Sequence, residues 1–191
     1  MKNNTIYSKY IKRLLDFFIS LSMVIILSPI LLIIGIAIAV SSGFPVIYRQ
    51  KRMGKGYKEF TIYKFRTMVK NADKIGPTST VAGDARITKI GKVLRKSSLD
   101  ELPQLFNILK GDMSLIGYRP DVYREGQDPT NKKYLVRPGI TGYAQVNGRS
   151  SLTQEKKIFW EEKYIEDISF VTDIQIILDT IKVVIMKNNT N

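Results

Sequence analysis

SSLDELPQLFNILKGDMSLIGYRP, residues Ser97–Pro120, is the stretch around which the chain is organised. Adjacent carboxylates, Asp100 and Glu101, open it. An apolar segment follows, with Leu102, Leu105, Phe106 and Leu109 spaced as a buried helical stripe. Lys110-Gly111 supplies a C-terminal charge and a left-handed cap. Two helix starts fit. Ser98 with Glu101 matches a capping box, at the cost of one hydrogen bond at Pro103; an N-cap at Asp100 places Pro103 in the first turn without that cost. In both, the carboxylates lie at or within the first turn, where the helix dipole favours an ionised Asp100. Arg86, Lys89, Lys92, Arg95 and Lys96 crowd in upstream, and Arg119 follows. Paired acids in a basic field point to chemistry on a phosphate ester.

The chain has 191 residues, enough for one domain and a buried core, and a net charge of +13. That charge suits nucleic acid, an anionic membrane or a phosphorylated substrate, and says nothing of fold. It contains no cysteine and no histidine. Disulfides, thiolate metal sites and histidine general bases are therefore excluded. Acid–base or nucleophilic work falls to Asp, Glu, Lys, Tyr, Ser or Thr, and a bound metal would take oxygen ligands, as Mg²⁺ or Mn²⁺ does.

Leu14–Val40 is an apolar run, uncharged from Phe17 onward, following a basic start with Lys2, Lys9, Lys12 and Arg13. A straight helix from Phe17 to Val40 would reach ~36 Å, against a ~30 Å hydrocarbon core. The run is too long for a signal-peptide core and no small-residue cleavage site follows it. Ser28-Pro29 interrupts it near the middle, leaving arms of only ~16–18 Å. The far flank, with Arg49, Lys51, Arg52, Lys55 and Lys58, is also basic, which places both flanks on the cytoplasmic side. A re-entrant helix is therefore favoured over a spanning one.

Val46–Met68 reads as a β-hairpin turning at Met53-Gly54-Lys55-Gly56, with Lys64 and Arg66 on the second strand. Asn71–Gly83 is loop-like, and Ile87–Lys96 is a basic amphipathic helix suited to a membrane surface or to solvent. Gly126–Lys133 is a polar loop, and Tyr134–Arg149 is glycine-punctuated with a turn at Arg137-Pro138-Gly139. Ser150–Asp167 reads as a helix, and Thr172-x-x-Gln175 caps a last one. The stripe Ile174, Ile177, Leu178, Ile181 and Val184 reads as core packing. No internal repeat or linker divides the chain.

First-turn carboxylates commonly do no more than stabilise a helix, by about 0.3–1 kcal/mol each. The basic segment before the pair, Arg119 after it, the membrane segment and the missing histidine favour a functional role. An ionised carboxylate can bind Mg²⁺ or attack phosphorus to form an acyl phosphate. Two carboxylates facing a pyrophosphate need a divalent cation and arginines. Adjacent helical residues point about 100° apart, so Asp100 and Glu101 suit separate tasks.

SLDELPQLFNILKGDMSLIG, YKFRTM and VRPGITGYAQVNGR, in that order and behind the apolar segment, resemble the bacterial sugar transferase family, the monotopic phosphoglycosyl transferases. The resemblance covers residues 1–191 as one domain. It implies an α+β fold: a small globular domain with a kinked re-entrant membrane helix over 14–40 broken at Ser28-Pro29, a β-hairpin and several amphipathic interfacial helices. It implies transfer of a sugar-1-phosphate from a UDP-sugar to undecaprenyl phosphate, with release of UMP, as the first membrane step of surface glycan assembly. By resemblance, Asp100 is the nucleophile, forming a covalent aspartyl-phosphosugar, and also a Mg²⁺ ligand. Glu101 is its catalytic partner, and Lys64, Arg95, Arg119, Arg137 and Arg149 are substrate-binding. The implied location is the cytoplasmic face of the bacterial inner membrane. No nucleic-acid partner is expected, and a homo-oligomer is left open. The chain departs from the family at Tyr118, where Pro-Arg-Pro is usual. The competing reading is a non-catalytic basic adaptor on anionic lipid or nucleic acid, which leaves the acid pair and the YLVRPGITG loop without a role.

Overall fold

The computed structural model describes residues 5–76, 83–123, 127–148 and 152–189. Arg149 lies outside the described residues, as do Lys2 and parts of the loops expected over Asn71–Gly83 and Gly126–Lys133. The elements are α1 (Lys12–Ser42, entered through a π-type turn, Tyr7–Ile11), β1 (Ile47–Met53), β2 (Glu59–Phe65), α2 (Ala72–Ile75), α3 (Lys89–Lys96), α4 (Gln104–Lys110), β3 (Ser114–Ile116), β4 (Gly139–Thr141), α5 (Tyr143–Val146), α6 (Gln154–Asp167) and α7 (Phe170–Asn189). This is an α+β fold with a long apolar N-terminal helix and a small hairpin.

α1 is long and apolar enough to cross a membrane. It runs unbroken through Pro29, where a break was expected. Proline lacks the N–H that would reach the Ile25 carbonyl, and Ser28 Oγ donates to that carbonyl instead, at 2.8 Å. One face of α1 carries the globular part. Met23, Val24 and Leu27 pack with Ile62, Leu105, Ile108 and Met113. Beyond Pro29, Leu31, Ile34 and Ile38 pack with Phe65 and Leu94. Fully burying a side chain such as Ile38 contributes about 1.5–3 kcal/mol. The opposite face, including Phe18, Ile25, Ile26, Leu32, Ile33 and Val40, is exposed.

Polar contacts fix the near end of α1. Tyr7 and Lys12 both donate to Asp173 of α7, at 2.6 Å. Asp16 accepts from the Leu115 amide, and Arg13 donates to the carbonyls of Ile108 and Leu109, orphaned at the end of α4. Arg66, a buried residue of the YKFRTM segment, does the same for Ser42 and Gly43 at the end of α1.

β1 and β2 form the expected antiparallel hairpin, with Tyr48 opposite Lys64 and Met53 opposite Glu59. A parallel two-stranded sheet, β3–β4, was not expected, since each strand is only three residues long. It accounts for the glycines of VRPGITG. A Cβ on Gly139 would lie 2.1 Å from the Gly117 nitrogen, and one on Gly142 would lie 2.0 Å from the Gly117 oxygen. Only glycine permits that backbone approach.

The α4 stripe differs from its expectation. Leu105 and Ile108 are buried, but so are Gln104 and Asn107, whereas Phe106 is exposed. Asn107 turns inward because it serves the free edge of β2: it accepts from the Tyr63 amide and donates to the Thr61 carbonyl. On α7, Ile176 is the fully buried apolar residue, and Ile174, Leu178 and Ile181, expected in the core, are exposed. Its inward face is set by Asp173, bonded to Tyr7, Lys12 and Tyr164, and by Thr180, bonded to Thr141. Ser169, not Thr172, receives the first-turn amide, that of Thr172.

Candidate active site

Asp100 and Glu101 occupy a 3₁₀ turn, Leu99–Glu101, ahead of α4. The capping box does not form: Ser98 is left-handed (φ 59°) and its side chain caps nothing, and Asp100 is no N-cap either, since Pro103 holds that position. Leu99 and Leu102 explain the geometry. Both pack into the α1–Phe65–Leu94 core, which anchors the turn on either side of the acids.

Glu101 Oε1 accepts from Lys64 Nζ at 2.8 Å and lies 3.7 Å from Arg119 Nη2. Lys64 reaches it from β2; Arg119 extends from the segment after β3 and is half exposed. Tyr118, where proline is usual, is a core residue: 2 % exposed, edge-on to Tyr134, with its carbonyl accepting from Gly139 N. It ties the backbone beside Arg119 to β4.

Asp100 is placed differently from its neighbour. Among the described residues no side chain donates to it; its own backbone amide does. Burial, and then the Glu101 charge, hold its carboxyl above the usual range, against the opposing pull of Lys64 and Arg95. Burial thus outweighs the ionisation that the helix dipole was expected to favour. Arg95 contributes its field while its Nε donates to Thr67 Oγ1 at 2.8 Å.

Lys64, Glu101 and Arg119 line one narrow cleft together with Gln104 and Arg52. Arg52 was missed as a site residue. Its Nη1 donates to the Pro120 carbonyl, its Nε is buried without a partner, and burial and the neighbouring Arg119 weaken its hold on its proton. The signal was available in strand alternation: Arg49 and Lys51 are exposed, and Gln50 and Arg52 alternate with them on the other face. Two guanidiniums and an ammonium around one carboxylate leave surplus positive charge, which suits phosphate groups.

Arg137 is not part of this cluster. Its Nε donates to the Gly111 carbonyl at 2.8 Å, beyond the far end of α4, near Arg13. A second charged cluster was also missed. Lys133 joins Asp121 and Glu161, and Lys157 lies 3.3 Å from Asp121. These residues are far apart in sequence, so nothing in their spacing announces it.

A family model described as bacterial sugar transferase matches residues 7–187. The chain is 39% identical over 182 residues to the uncharacterized sugar transferase EpsL of Bacillus subtilis (strain 168), covering 92% of this chain and 88% of EpsL. It is 39% identical to a UDP-N-acetylgalactosamine-undecaprenyl-phosphate N-acetylgalactosaminephosphotransferase of Aeromonas hydrophila, over 92% of this chain and 44% of that protein. It is 38% identical to the UDP-glucose:undecaprenyl-phosphate glucose-1-phosphate transferase of Escherichia coli (strain K12), over 91% of this chain and 40% of the relative. It thus spans less than half the length of these last two. With a family model matched over nearly its whole length, behind an acid pair set among Lys64, Arg95 and Arg119, the chain belongs to the bacterial sugar transferase family.

Proposed function

We propose that this protein transfers a sugar-1-phosphate from a UDP-sugar to undecaprenyl phosphate through a covalent intermediate on Asp100. One observation carries the reading: Asp100, without a side-chain donor among the described residues, feels the charges of Lys64 and Arg95, and its neighbour Glu101 lines a cleft with Lys64, Arg119 and Arg52. A structural carboxylate would be paired; this one has its compensating charges close by but not bonded to it. The names of the Aeromonas and Escherichia relatives describe this class of transfer.

An Asp100 oxygen attacks the β-phosphorus of the donor. The bond from that phosphorus to the α-phosphate oxygen breaks, and UMP carries the electron pair away. The acyl phosphate left on Asp100 is then attacked by an oxygen of the polyprenol phosphate, which frees the carboxylate and forms the lipid-pyrophosphate-linked sugar. The acceptor phosphate is ionised near neutrality, so the second step needs no strong base. Glu101, already held by Lys64 and near Arg119, orients those cations toward the phosphates.

Asp100, with no side-chain donor among the described residues, would hold a Mg²⁺ ion, whereas Glu101 is already bonded to Lys64. Among the described residues no three acidic groups gather, so such an ion would take the rest of its ligands from water and substrate phosphates, as Mg²⁺ commonly does. When bound it would neutralise pyrophosphate charge.

The membrane reading follows from α1. Its two arms share one globular partner, so a spanning α1 would drag β2, with Lys64, toward hydrocarbon. We therefore read α1 as re-entrant rather than spanning, with its exposed face in lipid and the domain on the cytoplasmic surface. α3, with exposed Lys89, Lys92 and Lys96, and the exposed apolar row of α7 would rest at the interface.

The test is UMP release from a panel of UDP-sugars with undecaprenyl phosphate and Mg²⁺, followed by mass spectrometry of the protein after donor alone. A sugar-phosphoryl adduct at Asp100 is expected. Product formation with no adduct on Asp100 would remove the covalent route.

A further inference from the structure

Arg52 and Arg119 also line a cavity of about 480 Å³ whose lining does not include Glu101 or Lys64. Arg52, Arg119 and Pro120 border both it and the acid-pair cleft, so the two spaces adjoin. Its size falls within the about 300–1,000 Å³ typical of small-molecule sites. We infer that this cavity holds the nucleoside half of the donor, with Arg52 and Arg119 on the phosphates at its mouth. The inference rests on the reading of the protein as a UDP-sugar-dependent transferase.

Three observations carry it. The first is direction. In phosphoryl transfer the attacking and leaving oxygens lie roughly in line across phosphorus. Glu101 and Lys64 line the cleft and not the cavity, so an attack from the acid-pair side would send UMP toward the adjoining space, which is the cavity. The second is charge. Lys133 and Lys157 at the cavity wall are paired with Asp121 and Glu161, and Asp128 also lines it, so the interior carries no surplus of cations. Arg52 and Arg119, the latter 3.7 Å from Glu101, stand on the border between cavity and cleft. Phosphates belong at the mouth and an uncharged group within.

The third is wall chemistry. Asn131 and Gln154 line the cavity, and carboxamides offer the adjacent donor and acceptor that a pyrimidine imide edge or ribose hydroxyls require. The Asn131 oxygen already accepts from the Lys133 amide, which holds the side chain in place and leaves its NH₂ as the donor. Ile158 adds an apolar wall from α6. Tyr134 is also in the lining, fixed through its hydroxyl by Gln127 at 2.8 Å and edge-on to Tyr57 and Tyr118.

The experiment measures UMP binding to the full chain in detergent, with UMP release from UDP-sugars in parallel. Ile158→Trp fills the cavity from a half-buried position and should weaken UMP binding by about tenfold or more. Gln154→Ala, an exposed position at the start of α6 whose loss should leave the melting temperature unchanged, should weaken it by roughly threefold to fivefold. Should Ile158→Trp fail to fold, Gln154→Ala decides. Wild-type UMP affinity in the variants, with an altered ranking of UDP-sugars, would place the saccharide in the cavity and overturn the assignment. A wild-type protein that releases UMP while Ile158→Trp binds it normally loses only this subsite. One that releases no UMP loses the proposed function as well.

Discussion

Asp173 and Asp100 are both carboxylates set near cations, and they are built in opposite ways. Asp173, 4 % exposed, accepts from Tyr7 and Lys12 at 2.6 Å and from Tyr164 at 2.8 Å. It joins the start of α1 to α6 and α7. Asp100 has no side-chain donor among the described residues and is held above its usual range by burial and by Glu101. A carboxylate that holds three hydrogen bonds, one of them from an ammonium, is a poor nucleophile and serves the fold. One without them keeps its lone pairs, and the protein bears the electrostatic cost at the place where a substrate would relieve it.

The sharpest way to break this contrast is to exchange the two losses. Asp100→Asn should lower turnover by about a thousandfold or more in the UMP-release assay while leaving the melting temperature near wild type. Asp173→Ala should do the reverse. Uncoupling Lys12 in a buried site costs about 3–5 kcal/mol, read as a drop in thermal or denaturant midpoint, with residual chemistry in the molecules that remain folded. If Asp173→Ala abolished turnover at full stability, the distinction would collapse.

Arg52 tests whether surplus charge belongs to the site. Arg52→Met should raise the KM for the donor by roughly tenfold, a loss comparable to one charged hydrogen bond. Unchanged donor kinetics would return Arg52 to a purely structural role beside Pro120.

The pH profile sharpens the electrostatic half. Because the Asp100 carboxyl is raised, its contribution to stability is greatest when it is protonated, at low pH, and is lost as pH climbs through its folded pKa. Activity runs the other way, since attack needs the carboxylate. The acid limb of kcat/KM should therefore lie above the ordinary aspartate range and move to lower pH in Glu101→Gln, where a repelling charge is gone. Movement to higher pH would contradict the assigned cause.

The smallest expected effect, that of Leu178→Ser, is on α7. Ile176→Ala should cost about 2–5 kcal/mol, whereas Leu178→Ser, already exposed, should change stability by no more than about 0.5 kcal/mol. Equal losses would mean that the exposed row is packed after all.

The hairpin, the long apolar helix and the acid pair were legible because each rests on local chemistry: strand alternation, an uncharged run, adjacent carboxylates. Lys64, Arg95 and Arg119 were reached through motif resemblance, and Arg52 was within reach of period-2 reading. The parallel β3–β4 pair was not, since three-residue strands leave no period to detect. Nor was the inward turn of Asn107, because a polar residue on an apolar stripe makes sense only once the edge of β2 lies beside it. The same holds for α7, where Ile174, Leu178 and Ile181 fit a core stripe by spacing, yet Asp173 and Thr180 determine the face that turns in.

By itself the sequence determined the chemistry available to this protein. With no histidine or cysteine, acid–base or nucleophilic work was confined to Asp, Glu, Lys, Tyr, Ser or Thr, and the resemblance pointed to Asp100 and Glu101 among them. Only the tertiary structure decided how those groups divide the labour. Lys64 comes from β2 and Arg119 from beyond β3, and their pairing with Glu101, while no described side chain donates to Asp100, depends on where packing against α1 sets the turn between Leu99 and Leu102. The physical reason is range: side-chain type and local spacing are written along the chain, whereas desolvation and charge pairing depend on neighbours that only folding brings within a few ångströms.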